Sequence, residues 1–458
     1  MGSSRRRRST AFRLLATCWL VYSFHFATNM VRESYLALAI GDHMSFRVDE
    51  YAGMHDDIFE HPGHGWHIGS NPGASMLAAI PYAISRPAVD AIVSGVRERR
   101  AEAGATRPPD YEARNAADLA LYEEAWRRGF DVKFGLASAV MQSLCMAVVA
   151  ALGVVLMYFL LAGWFGERAG SWLAVLYAFG TPLFLRTGFL NHNAMMATFA
   201  LAGFTALWMR PPARAPTRPP ARLVAAGLAG GMCVLLDYSG VIVLAVLGVA
   251  AFCVRPPDRP ARVAGLFALG AVGPLLLLWW YQWRAFGHPL YPPQHWMPVV
   301  EYIEEGYQGV SLPRPDLAAL LAFDYRFGLF TSCPLFLLAL AGPLVNRRAS
   351  GDGGRRAEDD HGRVPTDVVA ACVAVSLGLF IFFSGVHYTR WQFNTGVRYL
   401  APAFPFLFIL SAIVLVRLPG WLARTIGIAS VAFAWMLAMA RDVSGGKVEL
   451  ADPDAGRG

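Results

Sequence analysis

The chain has 458 residues, of which 55% are hydrophobic and 16% charged, and its mean hydropathy is +0.39. A soluble protein of this length cannot bury so much apolar sequence, so the composition indicates a polytopic membrane protein. The formal net charge of +7 would suit a nucleic-acid partner. The arginines cluster at the ends of apolar runs, however, where they orient helices in a membrane, and we therefore expect no nucleic-acid partner.

The N-terminus combines an arginine cluster with an apolar run. Arg5–Arg8 precede a run from Ala11 to about Met30, a pattern shared by secretory or twin-arginine signal peptides and by uncleaved signal anchors. No small-residue cleavage pattern follows, and many further apolar runs come after it. We therefore expect an uncleaved anchor, with residues 1–11 in the cytoplasm.

Apolar windows of about 20 residues predict about eleven transmembrane helices in a domain that covers residues 12–440. The windows lie near 12–29, 134–162, 169–187, 194–209, 222–236, 240–254, 263–283, 326–345, 367–386, 399–416 and 420–440. Every second connection is rich in arginine, as in 210–222, 255–262 and 347–363, which assigns those connections to the cytoplasm. Several are also rich in proline, so we expect short connectors without catalytic content.

The connections on the opposite, extracytoplasmic side hold the polar residues. The first runs from about 30 to 133 and the second from 284 to 325, while 441–458 form a C-terminal tail. A helical pattern from Tyr111 to Trp126 predicts that the first loop folds as helices at the membrane surface. The sequence contains no glycine motif that cradles phosphate, so a cytoplasmic nucleotide-using domain is not expected.

Several motifs resemble one family of membrane enzymes. They include RESYLALAI at 32–40, SFRVD at 45–49, PGASMLAAIPY at 72–82 and WQFNTGVRYLAPAFPFL at 391–407. In this pattern the chain resembles the GT-C membrane glycosyltransferases, in the branch of protein O-mannosyltransferases and lipid A aminoarabinose transferases. It departs from that branch in having Ser70-Asn71 where related enzymes often have a lysine, and Glu33 in place of an aspartate.

The resemblance implies an all-α GT-C-like bundle and a glycosyltransferase, for either a hexose or a pentose. The enzyme would move a monosaccharide, with inversion, from a polyprenyl-phosphate donor to an extracytoplasmic acceptor. That acceptor would be a glycolipid, a cell-envelope polysaccharide or a protein. The expected location is the inner membrane, among its lipids, with the active site on the extracytoplasmic side.

An inverting transfer needs a carboxylate that takes a proton from the acceptor hydroxyl. Glu33, just beyond the first span, is the first candidate, because a carboxylate at a membrane interface is costly unless it is used or paired. Asp49, with Asp56 and Asp57 beside it, is the second. The alternatives are an ion pair of Glu33 with neighbouring Arg32 or with Arg47, and solvated loop acids or helix caps for the aspartates.

The departing phosphate needs cations, and the planar fork of arginine binds two oxygens at once. Four arginines at outer helix ends are candidates, with Arg398 the first choice, followed by Arg390, Arg326 and Arg284. The alternative for each is that its side chain reaches the lipid headgroups.

Sugar or acceptor contacts are predicted from polar and aromatic residues on the same side. The candidates are His387, Tyr388, Trp391, His192 and Asn71. Interfacial aromatics and histidines are also common as membrane-belt residues. A turn at Asp237 and Tyr238 either faces the expected active-site cavity or caps a helix.

Four histidines in the first loop raise the question of a metal, since imidazole is a common ligand. They are His55, His61, His64 and His67, but their spacing matches no recognised zinc pattern. We expect no cofactor and no metal site, with a divalent metal as the alternative. The six cysteines lie in apolar segments without paired spacing and are expected to act as small hydrophobic residues.

A transporter or lipid flippase for envelope glycolipids is the competing interpretation. Such a protein should carry charges along a path through its spans and show inverted repeats. Here the spans are almost free of charge, and the ionisable residues gather on one side.

The arginine pattern makes a direct prediction about topology. Reporter tags at 210–222 or at 346–366 should be cytoplasmic, whereas tags near 95–110 and at 305 should be extracytoplasmic. Reporter activity or accessibility in intact cells measures this. An extracytoplasmic tag at 350 would contradict both the number of spans and the side of the site.

Overall fold

The structure is a computed structural model that describes residues 2–27, 30–111, 116–209, 220–253, 260–299, 304–351, 363–390 and 396–440. These residues form helices almost throughout, and the sheet found among them is a two-stranded antiparallel hairpin, β1 (Ile58–His61) with β2 (Gly65–Ile68). The predicted all-helical fold class is confirmed.

The α-helices occur in chain order as follows: α1 (Gly2–Phe24), α2 (Arg32–His43), α3 (Gly73–Glu102), α4 (Ala116–Arg127), α5 (Asp131–Met141), α6 (Ala147–Phe165), α7 (Glu167–Phe179), α8 (Leu183–Arg186), α9 (His192–Trp208), α10 (Ala221–Leu236), α11 (Gly240–Cys253), α12 (Pro260–Phe286), α13 (Pro315–Phe323), α14 (Leu329–Ser332), α15 (Leu337–Gly351), α16 (Thr366–Phe383), α17 (Phe404–Leu415) and α18 (Gly420–Ala440). Each window predicted to span overlaps at least one of them.

Two predicted spans are broken where proline interrupts the helix. The window 169–187 divides into α7 and α8 before Pro182, and the window 326–345 divides into α14 and α15 around Pro334. Proline lacks the N–H that continues a helix, which explains both breaks. The first helix is longer than predicted, because it begins at Gly2 and includes the arginine cluster.

Five helical segments in the described part of the chain are long and apolar enough to cross a membrane. They are Gly73–Glu102, Asp131–Phe165, Pro260–Phe286, Thr366–Phe383 and Gly420–Met439, and shorter apolar helices occupy Ala221–Leu236, Gly240–Cys253 and Ala401–Leu415. The segment 131–165 joins α5 and α6 through a π-helical turn. The chain is therefore a multi-pass membrane protein.

The bundle has two chemically different ends. At one end the start of α1 meets the start of α7, where Arg7 Nε lies 3.0 Å from Glu167 Oε1. At the opposite end, the start of α2 approaches the start of α9, where Glu33 meets His192. We call this second end the Glu33 end, and it is where the hairpin and the candidate site lie.

The long helix α3 has both of its termini at the Glu33 end. At Gly73 a Cβ atom would lie 2.7 Å from the carbonyl oxygen of Leu235, at the end of α10. In its last turns Arg100 Nη2 donates to Asp131 Oδ2 at 2.7 Å, at the start of α5. A helix that crossed the membrane would reach the opposite end, so these contacts favour a position along the Glu33 end.

Helices α10 and α12 approach each other closely through glycine. A Cβ atom at Gly227 would lie 1.9 Å from the carbonyl oxygen of Phe267, and one at Gly270 would lie 2.0 Å from that of Val224. Small residues allow such backbone contact between helices in a membrane. The close pair holds the end of α10, and with it Asp237, against α12.

The hairpin was not predicted. It pairs Phe59 with His67 and His61 with Gly65, around a turn that contains Pro62 and Gly63. Gly63 and Gly65 have φ angles of +78° and +91°, which glycine adopts readily and other residues rarely do. The run of histidines and glycines is thus a strand connection.

Candidate active site

The site is organised around Glu33, in the first turn of α2. Its side chain is 4% exposed, and its Oε1 lies 3.2 Å from Arg32 Nε and 2.8 Å from His192 Nδ1. The main-chain carbonyl of Glu33 also accepts a hydrogen bond of 2.8 Å from the hydroxyl of Ser75 in α3. A buried carboxylate is costly unless it is paired, and here two cationic or protonatable side chains pair with it.

Asp57 adds a second carboxylate through Arg32. Its Oδ2 accepts a hydrogen bond of 3.0 Å from Arg32 Nη1. Its own backbone N–H donates to His55 Nδ1 at 3.0 Å, and its carbonyl accepts from the N–H of Gly69 at 3.0 Å. The segment before the hairpin is therefore fixed against α2 by one arginine that serves two acids.

Asp237 supplies a third carboxylate, in the turn after α10. Its Oδ1 accepts hydrogen bonds from the N–H of Ser239 at 2.8 Å and from the hydroxyl of Ser239 at 2.5 Å. Its Oδ2 lies 3.7 Å from His192 Nε2. His192 is the first residue of α9, whose start is capped by Asn191 Oδ1 accepting from the N–H of Ala194 at 3.0 Å.

The surroundings lower the pKa of both loop carboxyls. Burial alone would raise the pKa of Glu33, but Arg32 and then His192 outweigh it and hold that pKa well below its usual range. For Asp57, burial also raises the pKa, while Arg32, His55 and Arg398 lower it, and the net pKa is lowered. Both groups are carboxylates at neutral pH, and their stabilising contribution is lost as acid protonates them.

Arg398, the first-choice phosphate residue, belongs to the same cluster. It is close enough to Asp57 to lower the pKa of that carboxyl. Its guanidinium carbon lies 4.4 Å from the ring centroid of Tyr399, whose hydroxyl accepts a hydrogen bond from Nη2. Tyr388 packs beside Tyr399, with ring centroids 5.8 Å apart. Burial and then the negative charge of Asp237 raise the pKa of the Tyr388 hydroxyl. The structure thus brings Glu33, His192, Arg398 and Tyr388 to one place.

The segment that carries Arg398 is held by an arginine that the sequence did not reveal. Arg186, at the end of α8, is fully buried and donates to the carbonyl oxygens of Gly396 and Val397, the latter at 3.3 Å. The signal in the sequence was a charged residue inside an apolar window, which is rare and costly in a membrane protein. Its role in the structure is to position the Arg398 segment.

The other three predicted phosphate arginines differ in their surroundings: one is exposed, one contacts the Arg398 segment through its main chain, and the side chain of the third lies outside the described residues. Arg284 is exposed at the end of α12. Arg326 Nε lies 3.6 Å from Asp324 Oδ1, and the Arg326 carbonyl accepts from the N–H of Gly396. Arg390 closes a short 3₁₀-helix, but its side chain lies outside the described residues, as does all of Trp391.

Three further candidates have structural partners. Asp49 Oδ1 accepts from the N–H of Trp66 at 2.8 Å and its Oδ2 lies 2.7 Å from Arg47 Nη2, so it supports the hairpin. Asn71 is buried, and its Nδ2 donates to the carbonyl of Val234 at 2.8 Å. His387 Nε2 lies 3.0 Å from Glu305 Oε2 and ties down the second loop.

The loop histidines are engaged with protein groups. His61 stacks on His64 with centroids 4.9 Å apart. The two ring nitrogens of His67 lie 3.1 Å and 3.2 Å from backbone carbonyls, and burial lowers the pKa of His67 to about 4.

A different group in the described part of the chain has three metal-type ligand atoms within 4.8 Å, namely Asp42, His43 and Glu50. Asp42 Oδ2 there is already 2.7 Å from Lys133 Nζ. A cation at that distance competes with any metal ion for the carboxylate.

Comparison with solved structures identifies two crystal structures of ArnT from Cupriavidus metallidurans, one in the apo state and one bound to undecaprenyl phosphate. They align with TM-scores of 0.54 and 0.53 at 16% identity, over 93% of this chain and 64% of that chain. The archaeal oligosaccharyltransferase AglB from Archaeoglobus fulgidus, in complex with an inhibitory peptide and a dolichol-phosphate, aligns with a TM-score of 0.48 at 13% identity, over 95% of this chain and 56% of that chain. No family model matches the chain, and no curated protein sequence is significantly similar to it.

The likeness to ArnT shows a common fold. At 16% identity it concerns the fold and leaves the chemistry to be argued from the residues. This chain spans less than two thirds of the length of ArnT, since 64% of the ArnT chain is covered. The GT-C resemblance predicted from the motifs is confirmed at the level of the fold.

The position of Arg186 predicts a loss of stability when it is replaced. In Arg186→Met two buried carbonyls lose their donor, and each unsatisfied group costs about 1–3 kcal/mol, so we expect the free energy of unfolding to fall by about 2–4 kcal/mol. Unfolding in detergent measures this. The control is Arg284→Met, an exposed arginine whose replacement should change that free energy by at most about 0.5 kcal/mol. Equal stability of the two variants would contradict the role given to Arg186.

Proposed function

We propose that this protein is a glycosyltransferase that moves a monosaccharide from a polyprenyl-phosphate donor to an acceptor hydroxyl. The observation that carries the proposal is the cluster at the Glu33 end, where a buried carboxylate, an arginine fork and two tyrosines meet. An inverting transfer needs a proton acceptor and a cation for the leaving phosphate, and aromatic rings beside them can contact a sugar.

Glu33 is the proposed general base. Arg32 and His192 both contact its Oε1 and hold the carboxylate in the cluster. A base held in position contributes through orientation as well as through proton transfer. Asp49, the second candidate in the sequence, is bound to the hairpin through Arg47 and the N–H of Trp66. Glu33 instead shares Arg32 with Asp57, the carboxylate that Arg398 approaches, and this favours Glu33.

Arg398 is the proposed phosphate residue. Its planar guanidinium can hold two phosphate oxygens, and the leaving phosphate gains negative charge as the glycosidic bond breaks. Arg390 is eight residues before it in the chain and is proposed as a second cation. The structure of ArnT bound to undecaprenyl phosphate shows that a protein of this fold holds a lipid phosphate, which supports a lipid-linked donor here.

Tyr388 and Tyr399 are proposed to contact the sugar ring. Their rings lie beside each other, and Arg398 lies over one of them. Aromatic faces next to a phosphate-binding arginine suit a sugar 1-phosphate, in which the apolar face of the ring adjoins the charged group. Trp391 and His192 remain proposed contacts of the sugar or the acceptor.

A nucleotide sugar is the less favoured donor. Its diphosphate usually requires a phosphate-cradling loop or a metal–carboxylate site. The arginine-rich connections 210–222 and 255–262 are short and rich in proline, which suits neither. The donor is therefore proposed to reach the site laterally from the bilayer.

The acceptor is proposed to be a glycolipid, a cell-envelope polysaccharide or a protein, on the extracytoplasmic side of the inner membrane. That side follows from the arginine pattern, which assigns the end opposite Glu33 to the cytoplasm. A transporter is the competing class, but among the described residues the charges of the candidate site gather at the Glu33 end.

The role of Glu33 is tested by Glu33→Gln, which keeps size and hydrogen bonding but removes proton acceptance. We expect transfer to fall by about 10²–10⁴-fold with donor binding retained. Steady-state transfer and donor binding, measured on purified protein in lipid, give the two quantities. Glu60→Gln makes the same change at an exposed strand position and should leave transfer unchanged. Near-normal transfer by Glu33→Gln, with loss in Asp49→Asn, would move the role to Asp49.

The donor is tested by offering the purified protein either a polyprenyl-phosphate sugar or the corresponding nucleotide sugar. Product should form only from the lipid-linked donor. Arg398→Lys should raise the KM for that donor by about tenfold or more, because lysine keeps the charge and loses a bidentate contact of about 1.5–3 kcal/mol. The KM for the acceptor should change less. Product from the nucleotide sugar alone would refute the proposed donor.

A further inference from the structure

Four buried side chains beside the candidate site each carry a polar atom that has no hydrogen-bond partner in the described part of the chain. The atoms are Ser70 Oγ, Asn71 Oδ1, the Tyr281 hydroxyl and Gln282 Oε1. Each of the four residues is at most 4% exposed. Buried polar atoms in native proteins are nearly always paired, so a group of unpaired ones indicates a ligand or ordered water.

The four side chains converge on the end of α10. Asn71 Nδ2 donates to the carbonyl of Val234 at 2.8 Å, and Ser70 is its neighbour in the chain. From α12, Gln282 Nε2 donates to the hydroxyl of Tyr238. Burial and then the nearby hydroxyl of the residue before Gln282 raise the pKa of Tyr238. The unpaired atoms therefore lie around one turn, on side chains from two different segments.

The segment that carries Ser70 and Asn71 also contacts both acids of the first loop. The N–H of Gly69 donates to the carbonyl of Asp57 at 3.0 Å. The hydroxyl of Ser75 donates to the carbonyl of Glu33 at 2.8 Å. The group of unpaired atoms is thus continuous with the Glu33 cluster.

The second loop adds a further wall to the same region. A Cβ atom at Gly69 would collide with the side chain of Met297. Just before Met297, Trp296 Nε1 and Gln294 Oε1 are also buried and have no partner among the described residues. Unpaired atoms on three separate segments are expected around a bound molecule, whereas a single packing defect would affect one.

The orientation of the Asn71 amide limits the chemistry of that molecule. The carbonyl of Val234 can only accept a hydrogen bond, so it holds the amide nitrogen and leaves Oδ1 as an acceptor that needs a donor. The phosphodiester of a lipid-linked sugar has no hydrogen-bond donor and cannot supply one. A sugar hydroxyl can donate to Oδ1, and it can also accept from the hydroxyl of Ser70 or Tyr281.

We propose that Ser70, Asn71, Tyr281 and Gln282 line a subsite for the hydroxyl groups of a sugar at the Glu33 end. This inference rests on the proposed function and names the chemistry that the substrate presents to that part of the site. The sugar belongs either to the donor or to the acceptor, since both present the same hydroxyl groups. None of the four side chains is charged, so the subsite recognises the sugar by hydrogen bonds.

Ser70→Ala and Tyr281→Phe test the subsite, because each removes a hydroxyl that makes no hydrogen bond within the described protein. Removing such a group costs the fold nothing, so the unfolding temperature in detergent should equal or exceed that of the wild type. Ser376→Ala is the matched control, since it removes another buried hydroxyl without a partner, in α16. It should change neither stability nor binding.

Binding is measured in lipid nanodiscs with undecaprenyl phosphate that carries glucose, mannose or arabinose, and with undecaprenyl phosphate alone. If the subsite holds the donor sugar, both variants should weaken binding of a sugar-bearing lipid by about three- to tenfold and leave binding of the bare lipid unchanged. If it holds a sugar of the acceptor, donor binding should be unchanged. Binding of glucosyl diacylglycerol should then weaken by the same factor, with diacylglycerol as the comparison.

Unchanged binding of every sugar-bearing lipid in both variants would overturn the inference, because ordered water would then account for the unpaired atoms. An equal loss for lipids with and without a sugar, or a lower unfolding temperature, would also overturn it. None of these measurements needs turnover. If the wild type forms no product from any polyprenyl-phosphate sugar, the proposed function fails, while sugar-dependent binding still tests the subsite.

Discussion

The burial of one carboxylate, Glu33, is the constraint on which the arrangement of the site depends. An unpaired charge in such surroundings would cost several kcal/mol. It is offset by contacts from two directions, Arg32 beside it and His192 at the start of α9. Since Arg32 also holds Asp57 and His192 also faces Asp237, pairing one acid draws α2, α9, the loop before the hairpin and the end of α10 together.

The contacts that stabilise Glu33 also make it a weak base in the unliganded protein. Burial is outweighed by Arg32 and His192, and the pKa of Glu33 lies far below neutral pH, whereas an efficient general base has a pKa closer to it. Under the proposed function the donor phosphate changes this balance. A phosphate bound near Arg398 would place negative charge near Arg32 and weaken the effect of Arg32 on Glu33. The pKa of Glu33 would then rise when a donor is present. The protein would then activate its base only with the substrate bound.

The sequence predicted the helices well and the site in part. Apolar windows located the membrane helices because burial in lipid requires long apolar runs, and the proline breaks at Pro182 and Pro334 shortened two of them. Glu33, His192 and Arg398 were proposed separately and come together in the structure. Arg186 was missed because its partners are backbone carbonyls more than 200 residues away in the chain. The hairpin was missed because short strands joined by glycine have no long periodic pattern. No local sequence pattern reveals the Arg186 hydrogen bonds or the hairpin.

The central claim is that a lipid phosphate binds at the Glu33 end between the first loop and the Arg398 segment. A structure of the protein in lipid nanodiscs with bound undecaprenyl phosphate tests it most directly. The account predicts phosphate density within hydrogen-bond distance of the Arg398 guanidinium, with the prenyl chain leaving sideways into the bilayer. It also predicts that the Glu33 carboxylate borders the space in which this phosphate binds. Phosphate bound at the opposite end, beside Arg7 and Glu167, or Glu33 separated from the phosphate by packed helices, would contradict it.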